Sequence, residues 1–284
     1  MKTVKIEGFL TALTPVVHGG DEKTGAESLL RRMRFYVDGE RMEIPYIEGN
    51  AIRGYLRRLI MQDFLEKVKY EVTSERLYHC LYAGGVLEEV SEETSGKLDI
   101  ELRKKIRRFI PPLSLFGASI SNQAFSGKLI VGKALPICRE LKNYIPVPTV
   151  TDTSIYNLLT FDFATRRAER DLPASISRIE KKKKNEAKVQ MLYRYECFVP
   201  GTRFYHWFTL MDTTPIEDSC FARLIELWRE RPFIGGRNAS GYGMIQIDYK
   251  LPIEMQTYGA AFYNKFINEN QAKIREVLSY LEKL

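Results

Sequence analysis

Apolar and polar residues alternate along Val4-Lys5-Ile6-Glu7-Gly8-Phe9-Leu10-Thr11-Ala12-Leu13, which predicts a first strand. Thr14-Pro15-Val16-Val17-His18-Gly19-Gly20-Asp21 breaks the alternation and reads as a loop. Arg31, Arg32 and Arg34 then precede Phe35-Tyr36-Val37, and Asp38-Gly39 supplies a turn. Glu43-Ile44-Pro45-Tyr46-Ile47 is extended, as the residue before a proline prefers. From Ala51 to Lys69 the pattern changes. Ile52, Leu56, Leu59, Ile60, Phe64, Leu65 and Val68 recur at helical spacing, with Asn50 as the expected N-cap. The early polar positions of that helix carry Arg53, Arg57 and Arg58.

Residues 71–120 read as a helical insertion. Glu75 to Leu87 is apolar-rich, Glu88 to Glu93 is acidic, and Leu98 to Phe109 is a basic helix that ends at Pro111-Pro112. Gly127 to Ala134 reads as a strand. Residues 146–188 lack clear periodicity, contain Phe161-Asp162-Phe163-Ala164-Thr165-Arg166-Arg167, and end in Lys181-Lys182-Lys183-Lys184. Such a stretch reads as a protruding hairpin or a mobile loop. Two alternating strands follow, Val189 to Val199 and the aromatic Thr202 to Met211. Asp212-Thr213-Thr214-Pro215 opens a helix with Phe221, Leu224, Ile225 and Trp228 on one face. The loop Gly235-Gly236-Arg237-Asn238-Ala239-Ser240-Gly241-Tyr242-Gly243 then leads into a strand, and residues 259–284 form an amphipathic C-terminal helix.

This order implies an α+β fold, one domain over 1–284 built on a split βαβ, ferredoxin-like core with large insertions. Composition sharpens the picture. The 284 residues are 44% hydrophobic and 28% charged, which fits a globular protein with a sizeable core. A net charge of +7 favours nucleic acid or another anionic partner. Cys80, Cys138, Cys197 and Cys220 are widely spaced and read as buried, reduced thiols. The opening Met1-Lys2-Thr3-Val4 does not read as a secretory signal, and no apolar run reaches the ~20 residues of a membrane helix. We expect a cytoplasmic protein with no membrane partner, no cofactor and no metal, since the histidines and cysteines lack zinc-ligand spacing.

Four glycines in nine residues make 235–243 the chain's most suggestive loop. It reads equally as an ordinary helix-to-strand turn or as a backbone cradle for phosphate, with Arg237 as a planar donor. Two other segments frame it: Ile44-Pro45-Tyr46-Ile47-Glu48-Gly49-Asn50-Ala51-Ile52-Arg53-Gly54, and Leu115-Phe116-Gly117 with Gly127-Lys128-Leu129. Together they resemble the CRISPR-associated RAMP superfamily, in particular the guide-RNA-binding backbone subunits of effector complexes. The first segment matches that family's I-P-x-I-x-G-x-x-h-R-G pattern, and 235–243 matches its glycine-rich loop.

The resemblance implies an RRM-like palm, a helical insertion over 71–120 and a β-hairpin thumb over 146–188. It implies RNA-binding roles for Asn50, Arg53, Arg57, Gly235, Gly236 and Arg237, to which we add the adjoining Asn238 and the loop His18, Gly19 and Gly20. Arg31, Arg32, Arg34, Arg166 and Arg167 join the set on charge and expected exposure. The partners implied are guide RNA with its paired target nucleic acid, copies of the chain in a helical filament, and other effector subunits. A backbone subunit must accept any guide, so phosphate and sugar contacts suit it better than base contacts.

Relatives in type III systems cut target RNA with an aspartate ahead of the I-P-x-I-x-G segment. Here the comparable Leu29-Leu30-Arg31-Arg32-Met33-Arg34 has no carboxylate, and Asp21 and Glu27 are displaced. We therefore expect a non-cleaving subunit of type IV or type I-D character. The alternative is an endoribonuclease on the same fold, for which His18 is the one plausible acid–base group. Three further features stay open. Lys181 to Lys184 reads as a solvated run or an RNA contact, Phe161 and Phe163 as wedges or hairpin pins, and Phe204 to Phe208 as a stacking surface or core.

Overall fold

The computed structural model describes residues 2–24, 27–85, 100–120, 123–146, 151–166 and 191–283. The central sheet is built from β1 (Thr3–Ala12), β8 (Leu129–Val131), β12 (Arg203–Met211) and β13 (Ile245–Tyr249), in the order β13-β1-β12-β8, with β9 (Leu135–Pro136) also beside β12. Every neighbouring pair is antiparallel. The crossovers are α1 (Gly49–Val68) between β1 and β8, and α5 (Pro215–Glu230) between β12 and β13. Chain order is thus βαββαβ and spatial order is fourth-first-third-second, the ferredoxin-like arrangement expected from the sequence. The fold is α+β.

One strand shows how the pattern becomes a layer. Phe204, His206, Phe208 and Leu210 of β12 share the face that meets the helices, and all are buried. The aromatic strand is therefore mostly core on that side. On its other side Tyr205 is also buried, and Trp207 lies half-buried over Gly132, where an added Cβ would fall 2.6 Å from the indole. Burying each large side chain of this kind contributes roughly 1.5–3 kcal/mol. His206 sits among Phe208, Trp228 and Tyr249, its Nδ1 2.6 Å from the Tyr249 hydroxyl. Burial pushes its pKa down to about 3, so the ring is neutral in the folded chain. All four cysteines are free thiols in buried positions.

The expected stripe of α1, Ile52, Leu56, Leu59, Ile60, Phe64, Leu65 and Val68, is buried throughout. The helix starts earlier than Asn50, because Glu48 is its N-cap and accepts from the Gly49 N–H. Pro215 sits in the first turn of α5, where Glu217 reaches back to the Thr214 N–H at 2.7 Å. The C-terminal helix α6 (Ile253–Glu282) begins upstream of the expected 259 and is broken at Gly259, with φ 50°. Ser219 bridges the break, donating to the Gly259 carbonyl and accepting from the Tyr263 N–H.

Between α1 and β8 the chain forms α2 (Glu75–Tyr82), α3 (Ile100–Phe109), α4 (Pro111–Phe116) and the hairpin β6 (Gly117–Ile120) with β7 (Gln123–Ser126), the first three and β6 within the 71–120 stretch read as a helical insertion. Its acidic stretch Glu88 to Glu93 lies outside the described residues. Asp38 and Gly39, both at positive φ, turn β4 (Arg32–Val37) into β5 (Glu40–Pro45). A second sheet has the order β10-β11-β3-β2, from β10 (Leu159–Arg166), β11 (Met191–Phe198), β3 (Glu27–Leu30) and β2 (Gly19–Thr24). β10 and β11 pair antiparallel from Leu159–Phe198 to Arg166–Met191. Residues 167–190, with Arg167 and the lysine run, lie outside the described residues. Among the described residues no helix is long and apolar enough to cross a membrane.

Candidate nucleic-acid interface

The glycine-rich loop is seated on the segment that follows β1. The Gly236 N–H donates to the Val17 carbonyl at 2.8 Å, the Gly243 N–H to Pro15 at 2.8 Å, and the Met244 N–H to the Thr14 hydroxyl at 2.9 Å. Gly235 lies at φ 75°, and a Cβ there would sit 2.4 Å from the Val17 carbonyl oxygen. Only glycine meets both demands. The N–H groups at 236 and 243 thus serve this packing and do not form an open cradle. Asn238 to Ser240 make one short 3₁₀ turn that carries the intervening residues outward.

Arg237 takes the left-handed conformation, φ 62°, and is exposed. Its guanidinium lies 3.5 Å from the centroid of the Tyr195 ring and donates to that residue's hydroxyl. Tyr193 continues the column, its ring nearly parallel to Tyr195 with centroids 6.3 Å apart. Tyr242 donates to Asp162 Oδ2 at 2.7 Å. Burial and that carboxylate push the Tyr242 hydroxyl up to about 12. The loop is therefore keyed to one face of the β10–β11 pair. On the opposite face, Arg194 stacks over Phe161 at 3.7 Å and pairs with Glu27 at 3.3 Å, while Phe163 is 55% exposed.

The start of α1 is built differently. Glu48 accepts from Lys133 at 2.6 Å and from the Tyr46 hydroxyl at 2.8 Å, and its own N–H donates to His18 Nε2 at 3.1 Å. Burial alone would raise the Glu48 carboxyl, but the Lys133 and Tyr46 hydrogen bonds outweigh it and hold the group below the usual carboxylate range. A carboxylate thus already occupies the positive end of the helix. Between α1 and the loop lies a cleft of about 260 Å³ lined by Asn50, Gly54, Tyr55, Arg58, Gly235 and Asn238. The Asn238 side-chain oxygen is buried beside it, with no hydrogen-bond partner among the described residues.

Arg57 corrects the expectation drawn for it. It is 5% exposed and donates to the carbonyls of Leu81 and Cys80 at 2.6 Å and of Gly117 at 2.9 Å. Burial pushes its pKa down to about 10. It ties α1 to the insertion and is no surface contact. Arg53 is half-buried, lies over the Phe116 ring and donates to the Phe116 carbonyl; burial lowers its pKa as well. Arg32 also turns inward, pairing with the buried Glu196, which accepts from the Leu30 N–H at 2.8 Å. Arg31 is half-buried and donates its N–H to the His18 carbonyl. Arg34 is exposed and pairs with Glu43 at 3.0 Å. Gly19 and Gly20 begin β2, with Gly19 opposite Leu30. Arg166 ends β10.

The fold thus brings Asn50, Gly235 and Asn238 to one cleft, with Arg237 on the adjoining loop. It keeps Arg53, Arg57 and Arg32 for packing. Arg58, which lines the cleft, was not among the expected site residues, although a signal for its exposure was present. At about 100° per residue, Arg53 and Arg57 fall within the arc from Ile52 to Met61, and Arg58 lies outside it. Among the described residues no group of three or more His, Cys, Asp or Glu could hold a metal ion.

No family model and no curated protein matches the sequence. Among solved structures, the chain is similar in fold to a chain of a Type IV-B CRISPR Complex. The TM-score is 0.62 and the identity 20%, with 88% of this chain and 92% of that chain covered.

Proposed function

We propose that this chain is a non-catalytic CRISPR effector subunit that binds guide RNA through its phosphates and assembles with copies of itself along it. The observation that carries the reading is the likeness in fold to a chain of a Type IV-B CRISPR Complex over nearly the whole of both chains. The site chemistry supports it. Arg58 lines the cleft with the amide groups of Asn50 and Asn238, and Arg237 stands exposed on the same loop as Asn238, a set of donors suited to phosphate and sugar more than to base edges. The net charge of +7 supplies long-range attraction for a polyanion.

His18 argues against a ribonuclease. Its Nε2 accepts from the Glu48 N–H, so that nitrogen is engaged in holding the start of α1. Filter binding with several unrelated RNAs over a salt series tests the proposal. Affinities within a few-fold of one another and a linear fall of log K with log salt are expected. Absence of binding at low salt, with the fold intact by circular dichroism, refutes it. Cleavage of repeat or guide-paired RNA that His18→Ala abolishes refutes the non-catalytic part.

A further inference from the structure

A second surface lies at the other end of α1. The carbonyls that end this helix are met from α6, with Gln271 donating to Lys67 and Val68, and Arg275 to Val68 and Lys69. On the opposite face of α6 from those contacts, α6 and α3 enclose a groove of about 410 Å³. The groove shares no lining residue and no helix with the glycine-loop cleft.

The groove has an apolar floor and a cationic rim. Leu102 and Phe109 come from α3, and Val277 and Tyr280 from α6; Tyr280 is 49% exposed. Lys105, Lys273 and Lys283 stand around them, all exposed. Their neighbours Lys104 and Lys265 have carboxylates, Glu101 at 2.8 Å and Glu269 at 3.8 Å. The three rim lysines have none within ion-pair distance among the described residues, and Glu276 is the one described carboxylate lining the groove. Three unpaired cations gathered around an apolar trough repel one another, and carboxylates on a partner relieve that repulsion. Lys273 on α6 and Lys283, the C-cap just past its end, are ten positions apart, about 15 Å along the helix axis. That length matches roughly three turns of a docked helix.

We propose that this groove docks an amphipathic helix of a partner protein, its apolar stripe on Leu102, Phe109, Val277 and Tyr280 and its acidic flanks on the three lysines. An apolar floor distinguishes such a site from a phosphate-binding one, where the cations themselves form the contact surface. Because the groove shares no residue with the glycine-loop cleft, a partner helix and RNA bind together.

The test is fluorescence anisotropy with the full chain and a labelled synthetic helix of about 14 residues, leucine on one face and glutamate on both flanks. Saturable binding in the micromolar range is expected, weakened at least tenfold by Lys273→Glu with Lys283→Glu. A peptide with lysine in place of glutamate should bind this doubly reversed variant better than it binds the native chain. Tyr280→Glu, at an exposed position, should weaken the glutamate peptide without altering RNA affinity. The proposal is overturned by no saturation up to about 1 mM, by equal binding of both peptides, or by affinities unchanged in the variants. Displacement of the peptide by RNA also overturns it, and would mark the groove as a nucleic-acid surface.

Discussion

Arg57 and Arg237 carry the same guanidinium, and the fold gives them opposite surroundings. Arg57 points into the junction of α1 with the insertion, where three carbonyls take its donors and bulk water is excluded. Arg237 rests on Tyr195 at the surface. A guanidinium stacked over a ring at an exposed position keeps part of its donor fork open to solvent. Each arginine sits in a stretch that also carries glycines. What differs is whether the backbone nearby needs donors. The last turn of α2 and the start of β6 leave carbonyls that Arg57 satisfies, whereas the glycine loop meets its own backbone needs through Val17, Pro15 and Thr14.

Four measurements can break or sharpen this contrast. The largest effect is expected from Arg57→Ala, which strands the Cys80, Leu81 and Gly117 carbonyls in the interior. A loss of roughly 3–5 kcal/mol should follow, and with it a Tm lowered on the order of 10 °C. A melting curve within about 2 °C of the native one would erase the distinction. Gly235→Ala comes next, since it sets a Cβ against Val17 at positive φ. We expect a cost of about 2–3 kcal/mol together with weaker RNA binding, because Arg237 moves with the loop.

Acid should separate the two regions in a graded way. The folded pKa of His206 is depressed to about 3 by burial, while in the unfolded chain it is ordinary, near 6.5. The neutral ring's contribution to stability is complete above 6.5 and is lost as pH falls toward about 3, by up to ~1.4 kcal/mol per unit. Urea unfolding at pH 7 and pH 5 should therefore differ by about 2 kcal/mol, and His206→Phe should flatten the difference. His206 is buried in the core and makes no contact with Arg237, which rests on Tyr195, so RNA affinity of the folded protein should hold. The smallest change in stability belongs to Arg237→Ala. Tm should stay within about 2 °C, while RNA affinity falls roughly five- to thirtyfold and the salt slope drops by about one. Arg237→Lys should recover only part of this, as an ammonium neither stacks nor forks.

The βαββαβ order, the buried stripe of α1, the capped start of α5 and the turn at Asp38-Gly39 were legible because local periodicity and turn chemistry encode them. The break at Gly259 was legible as a boundary, since the long helix was expected to start there, although helical residues also precede it. The candidate cleft was only partly legible. Asn50, Gly235 and Asn238 were each singled out, but their meeting in one cleft was not foreseen, and the surroundings of individual arginines could not be read from their charge. Arg32 is drawn to Glu196, 164 positions away in sequence, and no local pattern announces that pair.

The sequence by itself determined the strands and helices of the βαββαβ core and that the molecule is cationic. These follow from short-range periodicity and from composition. It did not determine the second sheet, whose β2 falls where a loop was expected and whose β10 falls in the aperiodic stretch. Only the tertiary structure decided which cations remain available at the surface. A guanidinium's fate depends on the carbonyls and carboxylates that distant segments bring within about 3 Å of it. That is a property of packing, and it turned Arg57 inward, left Arg237 on its tyrosine, and gathered Lys105, Lys273 and Lys283 around one groove.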